Sequence, residues 1–373
     1  MRIAVNARLL LQNRLEGIGW HAFELISRMI EMNPQHRFIL FYDRRKGILI
    51  PKGKNVESRI IRPVTRIPLL LNFWTNFSLA YAIKSAKAEL FYSPEPILPS
   101  RLNIPSIITI HDLSPQVLPD SLPGNHGDYY RQILKRNATL ATAIVTVSEF
   151  SKKEICSHYP IRQDKVHVIY NAARDVFKPL PMEEQQKVRD QLTNGKKYFV
   201  SLSALHQRKN VDKIIKAFDA YQADNYADHK LVIIGKRMGK HDLMDRAIKK
   251  SKFKKDIVQT GYLDEEKVAR ILAAAEALIN LSEYEGFGMQ LVEAMQSGVP
   301  VIASDKSCYP EICDGHAILV DPVATDDIAI TMHDFQIIKK QLSSGGIERA
   351  KDFDWNVSAH ALSQIMQSLV TNT

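Results

Sequence analysis

The sequence predicts an α/β protein made of two doubly wound parallel sheets covered by helices. Short β-branched or aromatic runs bounded by Gly, Pro, Asn or Asp alternate with longer segments of helical periodicity, the pattern of parallel strands joined by crossover helices. The 373 residues allow two to three domains at about 150 residues each. Hydrophobic residues make up 45% and charged residues 24%, a globular balance that excludes disordered and collagen-like chains.

In chain order, the first half offers strands at 2–6, 37–42, 89–93, 106–111, 143–148 and 166–170, with a periodic helix at 20–32 after the first. The second half offers 198–203, 231–235, 257–261, 277–281, 301–304 and 318–320. Each set is enough for its own sheet. Between them Pro179, Pro181, a polar run and Asn194-Gly195 read as a linker with a short helix. The expected organisation is therefore an N-terminal domain at 1–178, a linker at 179–195 and a second domain at 196–352. Residues 353–373 form a terminal helix, beginning around Trp355, that is free to return to the N-terminal domain.

The formal charge of +9 is distributed unevenly. Residues 1–180 carry 25 Lys and Arg against 14 Asp and Glu, a net +11, and the remainder carries −2. A basic half joined to a nearly neutral one suits a polyanion or an anionic surface on one side only. No zinc finger or RRM-type aromatic pattern accompanies the charge, so nucleic acid is not an expected partner. Cys156, Cys308 and Cys313 form neither a disulfide framework nor a zinc array, which fits a reduced cytoplasm. The start, Met1-Arg2-Ile3-Ala4-Val5, runs directly into a strand without signal-peptide features. The most apolar stretch, 67–83, is interrupted by Asn72, Thr75, Asn76 and Ser78. It is short of the roughly 20 apolar residues needed to cross a bilayer, yet suited to lying on one.

The most specific segment is Glu285-Gly286-Phe287-Gly288-Met289-Gln290-Leu291-Val292-Glu293, which follows a strand and opens a helix ending at Gly298-Val299-Pro300. Gly286 and Gly288 permit close backbone approach, and the helix start supplies donors and the positive end of a dipole, so an anion such as phosphate suits it. One glutamate before the loop and one inside the helix place carboxylates on both sides of that anion, as a sugar–diphosphate–ribose ligand requires. Arg208 and Lys209 precede another helix, where cations oppose the dipole unless an anion lies between them. His111 ends a strand of the first sheet, the address at which ligands bind in such folds. The only Asp-x-Asp, Asp352-Phe353-Asp354, lies beside the terminal helix and is expected to cap it, so no metal site is expected.

Glu285 and Glu293 enclose seven residues, and Glu-Gly-Phe-Gly followed by that second Glu resembles the Glu-x7-Glu signature of retaining nucleotide-sugar glycosyltransferases with the GT-B fold. The resemblance covers nearly the whole chain: Gly17-Ile18-Gly19, His111-Asp112-Leu113-Ser114-Pro115, Val147-Ser148-Glu149-Phe150-Ser151, Arg208-Lys209-Asn210, Ser297-Gly298-Val299-Pro300 and Tyr309-Pro310-Glu311 stand in the expected order. It implies two Rossmann-like domains facing a cleft, donor held mainly by the second and acceptor mainly by the first.

It further implies Gly17 and Gly19 beside the donor diphosphate, with Arg208, Lys209, Gly286, Phe287 and Gly288 around it. Glu285 would hold the transferred sugar and Glu293 the ribose, while His111, Lys209 and Glu285 form the catalytic set. Asp112 either orients the imidazole or caps the next turn. Many members carry an Arg where this chain has Ser203-Ala204-Leu205, leaving Arg208 to supply that charge. The expected activity is metal-independent transfer of a hexose to a glycan or lipid-linked glycan in surface-polysaccharide assembly. GDP-mannose is the favoured donor, UDP-glucose stays open, and no further cofactor is expected. The expected place is the cytoplasm, peripheral to the inner face of the membrane through an anionic surface. The rivals are a same-fold nucleotide-sugar epimerase or phosphorylase and a non-catalytic carbohydrate- or membrane-binding protein.

Overall fold

The computed structural model describes residues 1–12, 15–118, 126–225, 228–237 and 242–371. It divides into two compact units: Met1–Asn171 with Asp354–Thr373, and Ala172–Phe353.

In the first unit the chain runs β1 (Arg2–Asn6), α1 (Gly17–Met32), β2 (Arg37–Tyr42), β3 (Val56–Ile60), α2 (Pro68–Phe73), a π-helical turn (Trp74–Leu79) and α3 (Ala80–Ser85). It continues through β4 (Leu90–Ser93), β5 (Ser106–Thr109), α4 (Ser114–Val117), α5 (His126–Leu140), β6 (Ala143–Thr146), α6 (Glu149–His158) and β7 (Val166–Val168). These strands form one parallel sheet in the order β3-β2-β1-β4-β5-β6-β7. Central strands β4 and β5 are buried along their whole length, and β1 is buried after Arg2, because helices cover both faces. Ala4, Ile39, Phe41, Trp74, Phe91, Ile108 and Ile144 meet in one core.

Strand β3, Val-Glu-Ser-Arg-Ile, was not among the expected strands. It is a half-exposed edge, pairing in parallel with β2, so charged residues are admitted where a central strand would exclude them.

The second unit runs α7 (Met182–Thr193), β8 (Tyr198–Leu202), α8 (Val211–Asn225), β9 (Lys230–Ile234), α9 (Asp242–Lys250), β10 (Ile257–Gly261) and α10 (Glu265–Ala273). After it come β11 (Ala277–Asn280), α11 (Met289–Gln296), β12 (Val301–Ser304), α12 (Tyr309–Cys313), β13 (Ile318–Val320) and α13 (Thr325–Ala350). Its parallel sheet has the order β10-β9-β8-β11-β12-β13, with Phe199, Phe218, Ile233, Ile279, Met332 and Phe335 in its core.

The segment expected to link the domains is an integral part of this unit. Helix α7 ends on Asn194 in the left-handed region (φ 55°), and Arg189 within it donates to the Ala274 carbonyl at 3.0 Å and pairs with the buried Glu276 at 3.0 Å. The division thus falls between Asn171 and Ala172 rather than after Lys178.

The last helix, α14 (Trp355–Thr371), belongs to the first unit and packs on α1. Asn33, at the end of α1, donates to Ser363 Oγ at 3.0 Å, and Ser358 Oγ donates to the Tyr170 carbonyl at 2.7 Å. Asp354 accepts from the Asn356 amide at 2.5 Å, the capping role expected of it, while Asp352 pairs with Arg349 at 2.9 Å.

Each sheet reverses direction once. The chain goes outward from β1 to β3 and returns to lay β4 beside β1; in the second unit it goes from β8 to β10 and returns to lay β11 beside β8. The crevice at the carboxyl ends of such a strand pair is where open α/β sheets bind ligands.

Candidate active site

The second unit gathers its charged candidates at that reversal. The loop after β8 carries Arg208 and Lys209 on a 3₁₀ turn, Gln207–Lys209, followed by Asn210 at φ 52°. The loop after β11 leads through Glu285 to Gly288, the N-cap of α11. The two loops are tied by backbone and side chain: the Glu283 amide donates to the Arg208 carbonyl at 2.9 Å, Asn210 Nδ2 to the Leu281 carbonyl at 3.0 Å and Arg208 Nη1 to the Tyr284 carbonyl at 2.5 Å.

The Glu285 carboxylate receives both cations, bonding Lys209 Nζ directly and Arg208 Nη1 at 2.9 Å. Two cations just ahead of a helix were expected to need an anion, and Glu285 is that anion in the protein itself. Arg208 stands beside Lys209 on the same carboxylate.

Gly288 is fixed by the fold. Its φ is +83°, and a Cβ there would lie 2.5 Å from Cε1 of the buried Tyr309, whose hydroxyl donates to Asn280 Oδ1 at 3.0 Å. No side chain caps the start of α11, which leaves the positive end of its dipole beside Glu285 and its two cations.

Glu293 is buried on α11 and accepts from Arg174 Nη2 at 2.7 Å, and Arg174 also pairs with Glu265 at 2.9 Å. Burial raises the Glu293 carboxyl above the usual range, and the Arg174 guanidinium opposes that rise. Arg174 is the site residue that sequence reading missed, because its two partners lie far along the chain.

The first unit holds His111, Gly17 and Gly19. His111 lies just beyond β5, and its Nε2–H donates to the Pro94 carbonyl at 2.9 Å, so in the neutral ring Nδ1 is the acceptor. Burial lowers its pKa and keeps it neutral. The ring of the fully buried His21 meets it edge to face at 4.5 Å, while His21 Nδ1 bonds Asn171 Oδ1 at 2.7 Å. Asp112 takes the capping role: its Oδ1 accepts from the amide and the hydroxyl of Ser114 at 2.8 and 2.6 Å.

Gly17 and Gly19 were expected in a turn ahead of a helix, yet they form the first turn of α1, with ordinary negative φ. A Cβ on Gly17 would meet nothing within 4 Å, so no internal contact demands glycine there. Gly19 is buried against Leu15. Nearby, at the carboxyl ends of β1 and β4, Arg8 Nε donates to Glu95 Oε1 at 2.5 Å and Asn6 Nδ2 donates to the same oxygen at 2.9 Å, a buried polar cluster that no motif announces.

Among the described residues no three His, Cys, Asp or Glu side chains gather as metal ligands, and no helix is long and apolar enough to cross a membrane.

Two Rossmann-like units, each a parallel sheet with one strand-order reversal, give the chain the GT-B fold. The backbone superposes on sucrose-phosphate synthase from Thermosynechococcus elongatus over 100% of both chains, with a TM-score of 0.81 at 15% identity. The chain belongs to the group 1 glycosyltransferases: "Glycosyl transferases group 1" matches residues 182–343 and "Glycosyltransferase Family 4" matches 15–174. It is 26% identical to O-antigen chain mannosyltransferase B of Escherichia coli over 357 residues, covering 91% of this chain and 93% of that one. It is also 26% identical to O-antigen chain mannosyltransferase RfbU of Salmonella typhimurium, over 75% of this chain and 74% of that one.

Proposed function

We propose that this glycosyltransferase moves mannose, with retention and without a metal, from GDP-mannose to a glycan or lipid-linked glycan of a surface polysaccharide. It works in the cytoplasm, peripheral to the membrane. The observation that carries the reading is the convergence of Lys209 and Arg208 on Glu285 ahead of the α11 dipole, at the reversal of the second sheet. Two O-antigen chain mannosyltransferases among the relatives support the sugar and the class of acceptor.

Breaking the anomeric C–O bond leaves positive charge on the sugar and negative charge on the diphosphate. A donor diphosphate entering beside Lys209 and Arg208 takes over the charge that Glu285 balances in the protein alone. Both cations and the start of α11 then stabilise the leaving group where charge develops. Glu285, released from them, accepts hydrogen bonds from the sugar hydroxyls. Glu293, held by Arg174, accepts from the ribose. His111, with Nδ1 as acceptor, is assigned to the transferred sugar or the acceptor hydroxyl.

A hydrolysis and transfer screen in EDTA with GDP-mannose, UDP-glucose and other nucleotide sugars, reading free nucleotide, tests this directly. GDP release from GDP-mannose above all other donors is the expected result. Preference for UDP-glucose would reassign the donor, and dependence on added Mg²⁺ or Mn²⁺ would remove the metal-free role of the two cations.

A further inference from the structure

The run Pro68–Ser85 has two apolar faces, and only one belongs to the core. Leu71, Trp74, Leu79, Ala82 and Ile83 are buried, and Trp74 Nε1 donates to the Ile61 carbonyl at 3.0 Å. The other face carries Leu69, Phe73, Phe77 and Tyr81 at a constant spacing of four, 73%, 50%, 63% and 75% exposed. Phe73 and Phe77 stack at 5.1 Å. Large side chains this exposed are ordinary when scattered; four in one row on one helical run are not.

The charge around the row has one sign. From Ser58 to Ala88 the sequence contains no Asp or Glu, and Arg59, Arg62, Arg66, Lys84 and Lys87 lie at the two ends of the run. Arg59 pairs with Glu57, but Arg62, Arg66, Lys84 and Lys87 are exposed and no carboxylate pairs with them among the described residues. Asn76 Oδ1 accepts from the Ser100 amide at 2.9 Å, which brings the exposed Arg101 alongside. At 1.5 Å per residue the run is roughly 27 Å long, with cations beyond both ends of an aromatic row.

We infer that this face is a docking surface for an anionic lipid bilayer, the row Leu69-Phe73-Phe77-Tyr81 lying at the boundary between headgroups and acyl chains with the helix axis in the membrane plane. Aromatic and leucyl side chains beside cations are what an interfacial helix needs. Each Lys or Arg near an anionic leaflet strengthens binding roughly fivefold. The inference deepens the reading of a lipid-linked acceptor and takes its biological sense from it, since an enzyme whose acceptor is anchored must work at that surface.

The test is flotation of the full chain with vesicles of phosphatidylcholine alone and of phosphatidylcholine with phosphatidylglycerol. The protein is expected to float only with the anionic vesicles and to be released as salt rises. Phe73→Ser with Phe77→Ser should lower bound protein by about tenfold or more. Arg62→Gln with Arg66→Gln should lower it and flatten the salt dependence, in both cases with unchanged circular dichroism and unchanged hydrolysis of donor. Lys209→Ala should float like the wild type, so that loss of docking and loss of chemistry are read separately.

Absence of flotation with anionic vesicles at low salt, equal binding to neutral vesicles, or a Phe variant that still floats would overturn the assignment. So would a wild type that is dimeric without lipid and becomes monomeric in the Phe variant, which would make the face a contact between two copies.

Discussion

Replacing Glu285 by Ala should move two measurements in opposite directions. The carboxylate bonds Lys209, whose side chain is 6% exposed, and Arg208, which is 22% exposed. Unit charges about 4 Å apart at an effective dielectric near 20 attract by roughly 4 kcal/mol, of which desolvation of the partners returns a large part. A net coupling of about 1.4 kcal/mol is a tenfold factor. An incoming diphosphate must displace that coupling in the wild type and need not in the variant. Free GDP should therefore bind Glu285→Ala about tenfold more tightly, while transfer falls about 10²-fold because the sugar hydroxyls lose their acceptor. Removing the carboxylate that two largely buried cations share should cost about 3 kcal/mol of stability, and GDP at 100 times its Kd should return about 2.7 kcal/mol. Calorimetric titration with GDP, thermal melts with and without it, and a transfer assay read all three. GDP affinity falling together with turnover would refute the competition between carboxylate and diphosphate, and unchanged turnover would refute the sugar contact.

Glu293→Gln should weaken GDP itself by about tenfold, since the residue is assigned to the ribose and not to the sugar; calorimetry with GDP and with mannose 1-phosphate separates the two. His111→Ala should lower transfer by about 10²-fold with donor affinity little changed, and an equal loss of both would place the ring at the donor. Burial, above all, lowers the pKa of His21 and of His111 below 6.5. The unfolded chain therefore takes up protons first: stability is full above pH 6.5 and is lost as pH falls toward the folded values, and His21→Gln should flatten that slope in melts taken over a pH series. Gly288→Ala combines a left-handed φ with a Cβ 2.5 Å from Tyr309, so a loss of about 2–4 kcal/mol is expected by chemical denaturation.

The strands at the centre of both sheets were legible because burial on two faces makes them continuous apolar runs, as in Phe-Ile-Leu-Phe-Tyr of β2 or Ala-Ile-Val-Thr of β6. Strand β3 was not, because an edge strand has a wet side and its Glu57 and Arg59 erase the run. Helix α13 was also not anticipated: Ile330, Ile337 and Ile338 are exposed alongside the buried Ile328, Met332 and Phe335, which blurs its apolar stripe. At the site, Glu285, Gly288 and Lys209 could be chosen from residue type and local context. Their mutual contact could not, since it depends on β8 and β11 being neighbours across an interval that holds two other strands. The same holds for Arg174, placed at the end of the N-terminal domain in the sequence reading and found clamping two acids of the second unit. The exposed row on Pro68–Ser85 shows the converse: Trp74 and Phe77 look alike in sequence, and only packing tells that one faces the core and the other faces out.

Because α14 completes the first unit, the order of synthesis differs from the order of completion. At about 5–20 residues per second the ribosome delivers all of Ala172–Phe353 before the residues that cover α1. Until then the ring of His21 on α1 waits for Trp355, and the amide of Asn33 waits for Ser363. The unit begun first is thus finished last, and a ribosome that stops early releases a chain whose second unit is whole and whose first unit is open. For the same reason, removing the last turns of α14 should be felt as melting of the first sheet's helices rather than as fraying of a tail.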